Sequence, residues 1–283
     1  MAKTSGRRPG RAATRLAAAA ISAALVGTGS AAFAAEPGDA PMFGIAGLDS
    51  AGTSYYYTPS GNGGLEQRVQ LDTGWKNVKF LGRVDNNADS VADGRWQLST
   101  NGDIHYYAND NSAAKKIGYG WNIYNKLVSP GTLGGAAAGD ILARDTKGDL
   151  YLYLGYGDGT VTKRIKVGYG WDIYSEIAGN GDLNGDGKND LVARDKAGVL
   201  WLYKGTGNQK APYAKRTKIG SGWNQYNTIF APGDINLDGI TDLVARNAKG
   251  ELYLYAGTGK AAAPYKPKAI IGTSGWNTYR LFF

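Results

Sequence analysis

Two stretches of the chain carry oxygen-bearing side chains at a spacing that suits a hard metal ion. They run from Asp182 to Asp190 and from Asp234 to Asp242, with acidic or amide residues at positions 1, 3, 5 and 9 and glycine at position 6. Calcium takes about six to eight oxygen ligands, and the glycine permits the sharp turn of such a loop. Each loop also gathers three acids, whose mutual repulsion a cation would relieve. The pattern predicts two calcium sites with a structural role.

The predicted ligands are the side chains at positions 1, 3, 5 and 9 and the main-chain carbonyl at position 7. They are Asp182, Asn184, Asp186, Lys188 and Asp190 in one loop and Asp234, Asn236, Asp238, Ile240 and Asp242 in the other. The loops are not EF-hands, because Ala193 and Ala245 stand where that motif has its glutamate. Magnesium suits them less, since it demands strict octahedral geometry.

A third stretch is a degenerate copy of these loops. It keeps the four side-chain oxygens but has Ser90 where the other two have glycine, and serine is strained at a positive φ angle. Two interpretations stay open: an Asx-rich turn without metal, or a third calcium site. The ligands of that site would be Asp85, Asn87, Asp89, Val91 and Asp93. The corresponding stretch at 132–136 has lost its ligands, so no metal is expected there.

A unit of about 50 residues recurs along the chain and indicates the fold. A Gly-Trp pair marks each unit, with the tryptophans at Trp75, Trp121, Trp171, Trp223 and Trp276. Between them the same short β-branched and aromatic runs return, among them Asp-Leu-Val-Ala-Arg and alternating Leu-Tyr-Leu-Tyr, separated by glycine-rich turns. Four short strands in every ~40–50 residues are typical of propeller blades. We therefore predict an all-β, five-bladed β-propeller with four-stranded antiparallel blades.

The two ends of the chain bear on the domain organisation. The final apolar run, 279–283, is predicted to pair with the first strands of the mature chain, which closes the ring and removes exposed sheet edges. The predicted propeller domain spans residues 35–283. Its repeat units are expected at roughly 42–80, 81–127, 128–177, 178–229 and 230–283.

Residues 1–34 have the order of a secretory signal peptide: a basic start, an alanine-rich apolar stretch, and the small residues Ala32 and Ala34 around Phe33. Cleavage near Ala34 and an extracellular location are expected, and Sec and twin-arginine export both stay open. The apolar stretch is too short to span a membrane, which takes ~20 apolar residues.

The net charge and the absence of cysteine exclude several functions. The whole chain has 32 basic and 24 acidic residues, and removal of the signal's five basic residues leaves 27 minus 24, or +3. So small an excess predicts no nucleic-acid partner. The absence of cysteine excludes cysteine proteases and zinc-thiolate sites.

The motifs described above resemble two known families. The loops 182–190 and 234–242, each continuing into Leu-Val-Ala-Arg, are similar to the calcium loops of FG-GAP or VCBS repeats, which form propeller blades in integrin heads and in many secreted bacterial proteins. The runs Ile219-Gly-Ser-Gly-Trp223 and Ile271-Gly272 through Phe283 resemble the repeat of tachylectin-type five-bladed lectins. The second resemblance implies binding of N-acetylated aminosugars, although the calcium loops depart from the lectin pattern.

The leading functional hypothesis is carbohydrate binding, to a cell-wall polymer or another extracellular glycan. Aromatic and amide or acidic residues recur at equivalent places, and five weak equivalent sites would give avidity. The candidate ligand-binding residues are Trp121, Asn122, Trp171, Asp172, Trp223, Asn224, Trp276 and Asn277, with Tyr119 and Tyr169 beside two of them. Blade-to-blade packing is the alternative role of these tryptophans.

The second hypothesis is a structural module that binds a secreted protein and has no sugar site. An enzyme is not expected. His105 is the only histidine and lies in a predicted strand, so a Ser-His-Asp catalytic triad is not expected.

Overall fold

Short β-branched and aromatic runs between glycine- and asparagine-rich turns form twenty strands in the computed structural model, which describes residues 40–283. The predicted signal peptide therefore lies outside the described residues. The strands are β1 (Ile45–Asp49), β2 (Ser54–Tyr57), β3 (Val69–Gln70), β4 (Val78–Val84), β5 (Gly94–Ser99), β6 (Ile104–Ala108), β7 (Lys115–Gly118), β8 (Tyr124–Val128), β9 (Ile141–Asp145), β10 (Leu150–Tyr153), β11 (Ile165–Gly168), β12 (Tyr174–Ala178), β13 (Leu191–Asp195), β14 (Leu200–Tyr203), β15 (Thr217–Gly220), β16 (Tyr226–Gly233), β17 (Asp242–Asn247), β18 (Leu252–Tyr255), β19 (Ala269–Gly272) and β20 (Tyr279–Phe282). Single-turn 3₁₀ helices cover Trp121–Ile123, Trp171–Ile173, Trp223–Gln225 and Trp276–Thr278.

The strands form five antiparallel sheets of four strands each, which confirms the predicted all-β, five-bladed propeller. Blade 1 has the order β20-β1-β2-β3, and blades 2 to 5 consist of β4–β7, β8–β11, β12–β15 and β16–β19. The predicted closure is also confirmed, because β20 pairs with β1 through Leu281 opposite Leu48 and Phe282 opposite Gly47. Among the helices of residues 40–283, none has the length and apolarity needed to cross a bilayer.

The first strand of each blade lines a central cavity of about 340 Å³. Because the strands of a blade alternate in direction, the connections after its first and third strands lie at one face of the ring, here called the loop face. The connections after the second and fourth strands lie at the opposite face, here called the turn face. The acidic loops belong to the loop face, and the 3₁₀ helices belong to the turn face.

Apolar residues of neighbouring blades pack together, so the core lies between the blades. At the junction of blades 3 and 4, the alternating Leu150 and Leu152 pack with Trp171, Tyr174 and neighbouring residues of blade 4. Similar clusters fill the junctions between blades 2 and 3, 4 and 5, and 5 and 1. The junction between blades 1 and 2 has a smaller buried cluster of Leu48, Val78 and Leu81. No single sheet can bury its own apolar faces, and the closed ring provides the missing contacts.

A basic side chain also links each blade to the next by donating to main-chain carbonyls. Arg144, Arg194 and Arg246, which end the recurring Ala-Arg motif, each bond the carbonyl oxygens of the tryptophan and tyrosine that open the following blade. Blades 1 and 2 lack this arginine, and Arg280 and Lys79 of their first strands make the equivalent bonds. In the 3₁₀ turns, each tryptophan carbonyl also accepts the N–H of the tyrosine that ends the turn, so the charge-assisted bond is a second one to the same oxygen.

Candidate functional site

The three acidic loops all connect the first strand of a blade to its second strand. Residues 85–93 do so in blade 2, 182–190 in blade 4 and 234–242 in blade 5. Each loop also lies near a neighbouring blade, since Gly185 approaches the carbonyl oxygen of Gly259 and Leu237 lies near Gly61. A change in the shape of a loop would therefore reach the next blade.

The first aspartate of each loop organises the turn around itself. The carboxylate of Asp182 accepts N–H bonds from Asn184 at 3.0 Å, Gly185 at 2.7 Å and Gly187 at 2.6 Å. Gly187 has a φ angle of 80° and so meets the predicted need for a left-handed residue at position 6. The bonds hold the loop wrapped while both oxygens of the carboxylate stay inside the turn.

The side-chain amide at position 3 donates a hydrogen bond to a carboxylate of its own loop. The side-chain nitrogen of Asn184 lies 2.8 and 3.0 Å from the two carboxylate oxygens of Asp190, and that of Asn236 lies 3.1 Å from Asp238. The positive end of the amide dipole thus faces the carboxylates. Rotation of the amide by half a turn would present its oxygen instead, and the donors would then all be oxygens, as calcium requires. The donor set therefore fits calcium.

The carboxylates are not gathered into a finished site. Within residues 40–283 no three acidic or histidine side chains converge closely enough to hold a metal ion together. Burial raises the pKa of Asp190 to about 6 and that of Asp242 to about 7, because desolvation disfavours their charged forms. Burial also raises the pKa of Asp234. A cation would have to draw the position-5 carboxylate inward.

Position 9 has a second role that does not involve metal. Asp190 accepts the N–H of Gly205 at 2.7 Å and Asp242 that of Gly257 at 2.8 Å, so each ties its loop to the end of the third strand. Asp140 makes the same bond to Gly155 at 3.2 Å in blade 3, where the other acids of the loop are missing. The aspartate at position 9 therefore supports the loop whether or not metal is present.

The loop of blade 5 differs from that of blade 4 in one contact. The ammonium group of Lys266 lies 2.9 Å from the carboxylate of Asp238, at position 5. Among residues 40–283, the carboxylate of Asp186, at position 5 in blade 4, accepts only the N–H of Lys188. A cation in the blade 5 loop would have to compete with the lysine for this ligand.

The degenerate loop adopts the same left-handed turn despite its substitutions. Ser90 at position 6 has a φ angle of 68° and Ala88 at position 4 has 62°. Leu237, at position 4 in blade 5, is also left-handed, with φ at 59°. Position 4 was not recognised from the sequence as a second left-handed position, because only Gly185 signals it. The side-chain nitrogen of Asn87 again donates to a position-5 carboxylate, that of Asp89, at 3.1 Å.

The predicted ligand-binding tryptophans lie in the core. Trp121, Trp171, Trp223 and Trp276 are only 3–7% exposed. Each packs on a tyrosine of its own blade, with ring centroids 4.4–4.7 Å apart; these tyrosines are Tyr153, Tyr203, Tyr255 and Tyr57. No ring face is left on which a sugar could stack, so the positions agree with the packing role.

The residues that follow these tryptophans are exposed on the turn face. Asn122, Asp172, Asn224 and Asn277 lie in the 3₁₀ turns. The side-chain amides of Asn224 and Asn277 donate to the carbonyl oxygens of Lys196 and Ala248, at 3.3 and 2.9 Å. They brace the neighbouring turn, and their carbonyl oxygens remain available to a ligand.

Two tyrosines project from the turn face. Tyr119 and Tyr169, two residues before the buried tryptophans, are each 83% exposed. Ile123 and Ile173 beside them are 49% and 43% exposed. The equivalent positions of the other blades carry small polar residues, Thr73, Ser221 and Ser274. The exposed apolar surface of the turn face is therefore concentrated on two successive turns.

Comparison with known proteins supports the repeat assignment over part of the chain. The FG-GAP-like repeat family model matches residues 182–245, which include two of the acidic loops. No curated protein matches the sequence.

Three of the solved structures that are similar in shape share 12% sequence identity with this chain. The BP39L lectin from Burkholderia pseudomallei has a TM-score of 0.49, over 87% of this chain and 73% of its own. Prp20p from Saccharomyces cerevisiae has a TM-score of 0.40, over 82% of this chain and 62% of its own. Human WBSCR16 has a TM-score of 0.39, over 80% of this chain and 63% of its own. The chain thus spans less than two thirds of the last two proteins. Likenesses of this extent carry no information on function.

Proposed function

We propose that the protein is a secreted, non-catalytic, calcium-stabilised propeller that binds cell-wall or other extracellular glycans with N-acetylated aminosugars. The observation that supports sugar binding is the exposure of the Tyr119 and Tyr169 rings. A pyranose ring has an apolar face of C–H groups that packs on an aromatic ring, while its hydroxyl and acetamido groups need polar partners. Asn122 and Asp172, three residues further on, supply such partners on the same turns.

Calcium would serve the scaffold in this proposal. The acidic loops lie on the loop face, opposite the tyrosines, so a cation there would not touch a sugar on the turn face. Asp182, Asn184 and Asp186, with Asp190 and the Lys188 carbonyl, would hold it in blade 4. Its gain would be the relief of repulsion between acids and the fixing of a loop that contacts the next blade.

The absence of catalysis is part of the proposal. His105 lies on β6 with its ring 6.4 Å from that of Tyr107, and no serine bonds to it within the described residues. The buried acids are already engaged by main-chain N–H groups of the loops. Export rests on residues 1–34, and the mass of the secreted protein would show cleavage near Ala34.

Binding to chitotriose, measured by calorimetry, tests the sugar site. The double variant Tyr119→Ala/Tyr169→Ala should weaken binding at least tenfold, because both stacking surfaces are removed. Tyr156→Ala is the matched control, since Tyr156 is 68% exposed but lies on the loop face. Equal loss in both variants, or full retention in the double variant, would contradict the assignment.

Ile123 and Ile173 favour a second candidate, a protein-binding module. Exposed aliphatic side chains beside the tyrosines suit a protein partner better than a sugar, because they offer apolar area without hydrogen bonds. Capture of a secreted protein that chitotriose does not displace, and that Ile123→Ser/Ile173→Ser abolishes, would support this candidate.

A further inference from the structure

The perimeter of blade 4 carries an uncompensated run of positive charge. Residues 196–233 contain six basic side chains and no acidic one, although the mature chain as a whole is nearly balanced. Four of the six, Lys204, Lys210, Lys215 and Lys218, lie along the outermost strand β15 and the connection that precedes it. We call these four lysines the basic stripe.

Equivalent lysines of other blades have acidic partners. Lys116 of blade 2 lies 2.8 Å from Asp103, and Lys166 of blade 3 lies 2.6 Å from Asp149. The strand register aligns Lys218 with both, because Lys116, Lys166 and Lys218 pair with the second residue of the third strand in their blades. The acid that should accompany Lys218 is replaced by Val199. Within residues 40–283, no lysine of the basic stripe forms an ion pair.

The acids of blade 4 are held elsewhere. Asp195 accepts the indole N–H of Trp201 at 2.8 Å and the N–H groups of its own turn. Glu176 is paired with Lys126 at 2.6 Å in the central cavity. The loop acids accept main-chain N–H bonds at the loop face. Arg216 helps to lower the pKa of Asp195, so that guanidinium has an acidic neighbour, whereas no carboxylate of the described residues forms an ion pair with a lysine of the basic stripe.

Charges along this edge add to one another. Lys215 and Lys218 are three residues apart, or about 10 Å along an extended strand, which is comparable with the screening length of about 8 Å at physiological ionic strength. The guanidinium of Arg216 adds to the field, 4.1 Å from the ring centre of Trp201. Lysines on an edge strand also discourage sheet-to-sheet pairing, but the paired lysines of blades 2 and 3 serve that purpose without losing their acids.

We propose that the basic stripe binds a linear polyanion whose repeating sugar or polyol units each carry a carboxylate or a phosphodiester. A flexible chain with one negative group on each residue can follow the edge of the blade and meet several lysines at once. A nucleic acid fits less well, because single strands need exposed aromatic rings for base stacking. Trp201 is covered by Arg216, and Tyr213 packs against Trp171 and Tyr203. The surface is separate from the tyrosines of the turn face, so this inference does not depend on the proposed aminosugar site.

Binding of the mature protein to polygalacturonate and to poly(glycerol phosphate) tests the proposal, with uncharged dextran and a single-stranded oligonucleotide as comparison ligands. Polygalacturonate tests a polymer whose charge comes from carboxylates, and poly(glycerol phosphate) tests one whose charge comes from phosphodiesters. Lys215→Gln/Lys218→Gln should weaken binding of the preferred polymer about tenfold and reduce its dependence on salt. The control is Lys115→Gln/Lys116→Gln, which removes the same charge from paired lysines and should change the affinity less than twofold.

A third variant restores the missing partner. Val199→Asp copies Asp149 of blade 3 and should weaken binding of the polymer while leaving the melting temperature unchanged. Tighter binding of the oligonucleotide than of both polymers would overturn the proposal, as would equal losses in the control and the stripe variants. Retained polymer binding in Tyr119→Ala/Tyr169→Ala would show that the two surfaces act separately, and lost binding there would overturn the assignment to blade 4.

Discussion

The calcium prediction is best tested at position 5, because that carboxylate does least for the fold without metal. Asp190 ties its loop to β14 and Asp182 accepts three N–H bonds, so changes at either would destabilise the protein in any case. Asp186 is exposed and accepts one loop N–H, from Lys188. Asp186→Ala should therefore remove a calcium ligand at little cost to the metal-free protein.

The size of the effect follows from linkage. A site at 100 times its dissociation constant adds about 2.7 kcal/mol to the free energy of unfolding. For a chain of this length, 1 kcal/mol shifts the melting temperature by about 2–4 °C. Filling one site should therefore raise the melting temperature by about 5–11 °C, and filling two equal sites by about twice that.

Thermal melting in excess chelator and in calcium measures both quantities. Asp186→Ala should melt within about 1–2 °C of wild type in chelator, since an exposed substitution is usually worth less than ~0.5 kcal/mol. In calcium the variant should lose about half of the wild-type rise. A wild-type melting temperature that is the same in chelator and in calcium would refute the calcium assignment. If Asp186→Ala lowers the melting temperature equally with and without calcium, Asp186 acts as a structural residue.

Three further predictions follow from other contacts. Lys266→Ala frees the carboxylate of Asp238 and should strengthen the calcium response of the blade 5 loop, measured by titration calorimetry. Burial raises the pKa of Asp140 to about 7, so its folded form keeps a proton that the unfolded chain loses near pH 4. This carboxyl should cost about 1.4 kcal/mol of stability per pH unit as the pH rises from 4 to 7, and nothing further above 7. Urea unfolding should show that Asp140→Asn has a lower free energy of unfolding than wild type at pH 4, and that this difference becomes smaller as the pH rises to 7. A difference that does not change with pH would refute the raised pKa of Asp140. Arg246→Gln removes the bonds from blade 5 to the carbonyl oxygens of Trp276 and Tyr279. Hydrogen exchange of the β20 amides should then be faster than in the control variant Arg194→Gln, because β20 is held in blade 1 only by its pairing with β1.

The sequence determined the blades because their signals are local and repeated. The alternation of Leu150-Tyr151-Leu152 is a two-residue period, and it predicted both the strand and its buried face. The closure by β20 followed from the same repeat, since the last unit was one strand too long and the first one strand too short. These inferences needed no knowledge of side-chain contacts.

The sequence could not decide between the two roles of the recurring tryptophans in the same way. A tryptophan that recurs in every blade satisfies a constraint that every blade shares, which here is packing on a tyrosine such as Tyr153. The arginine of the Ala-Arg motif was equally visible, but its bonds to the next blade depend on the geometry between blades. In blade 2, Lys79 replaces it from a different strand, a substitution that only the three-dimensional arrangement reveals.

Positions that differ between blades are therefore the better guide to function. The acidic loops, the exposed tyrosines and the basic stripe each occur on some blades and not on others, whereas the buried tryptophan and tyrosine recur in the turns that open blades 1, 3, 4 and 5. Five equal sugar sites, the expectation from the repeat, would require five equal turns, and Ser221 and Ser274 stand where Tyr119 and Tyr169 provide rings. We expect a short aminosugar to bind with a stoichiometry of two per chain. Either single tyrosine variant should reduce that number to one without changing the affinity of the remaining site. A stoichiometry of five would mean that the shared residues of the turns, and not the tyrosines, form the site.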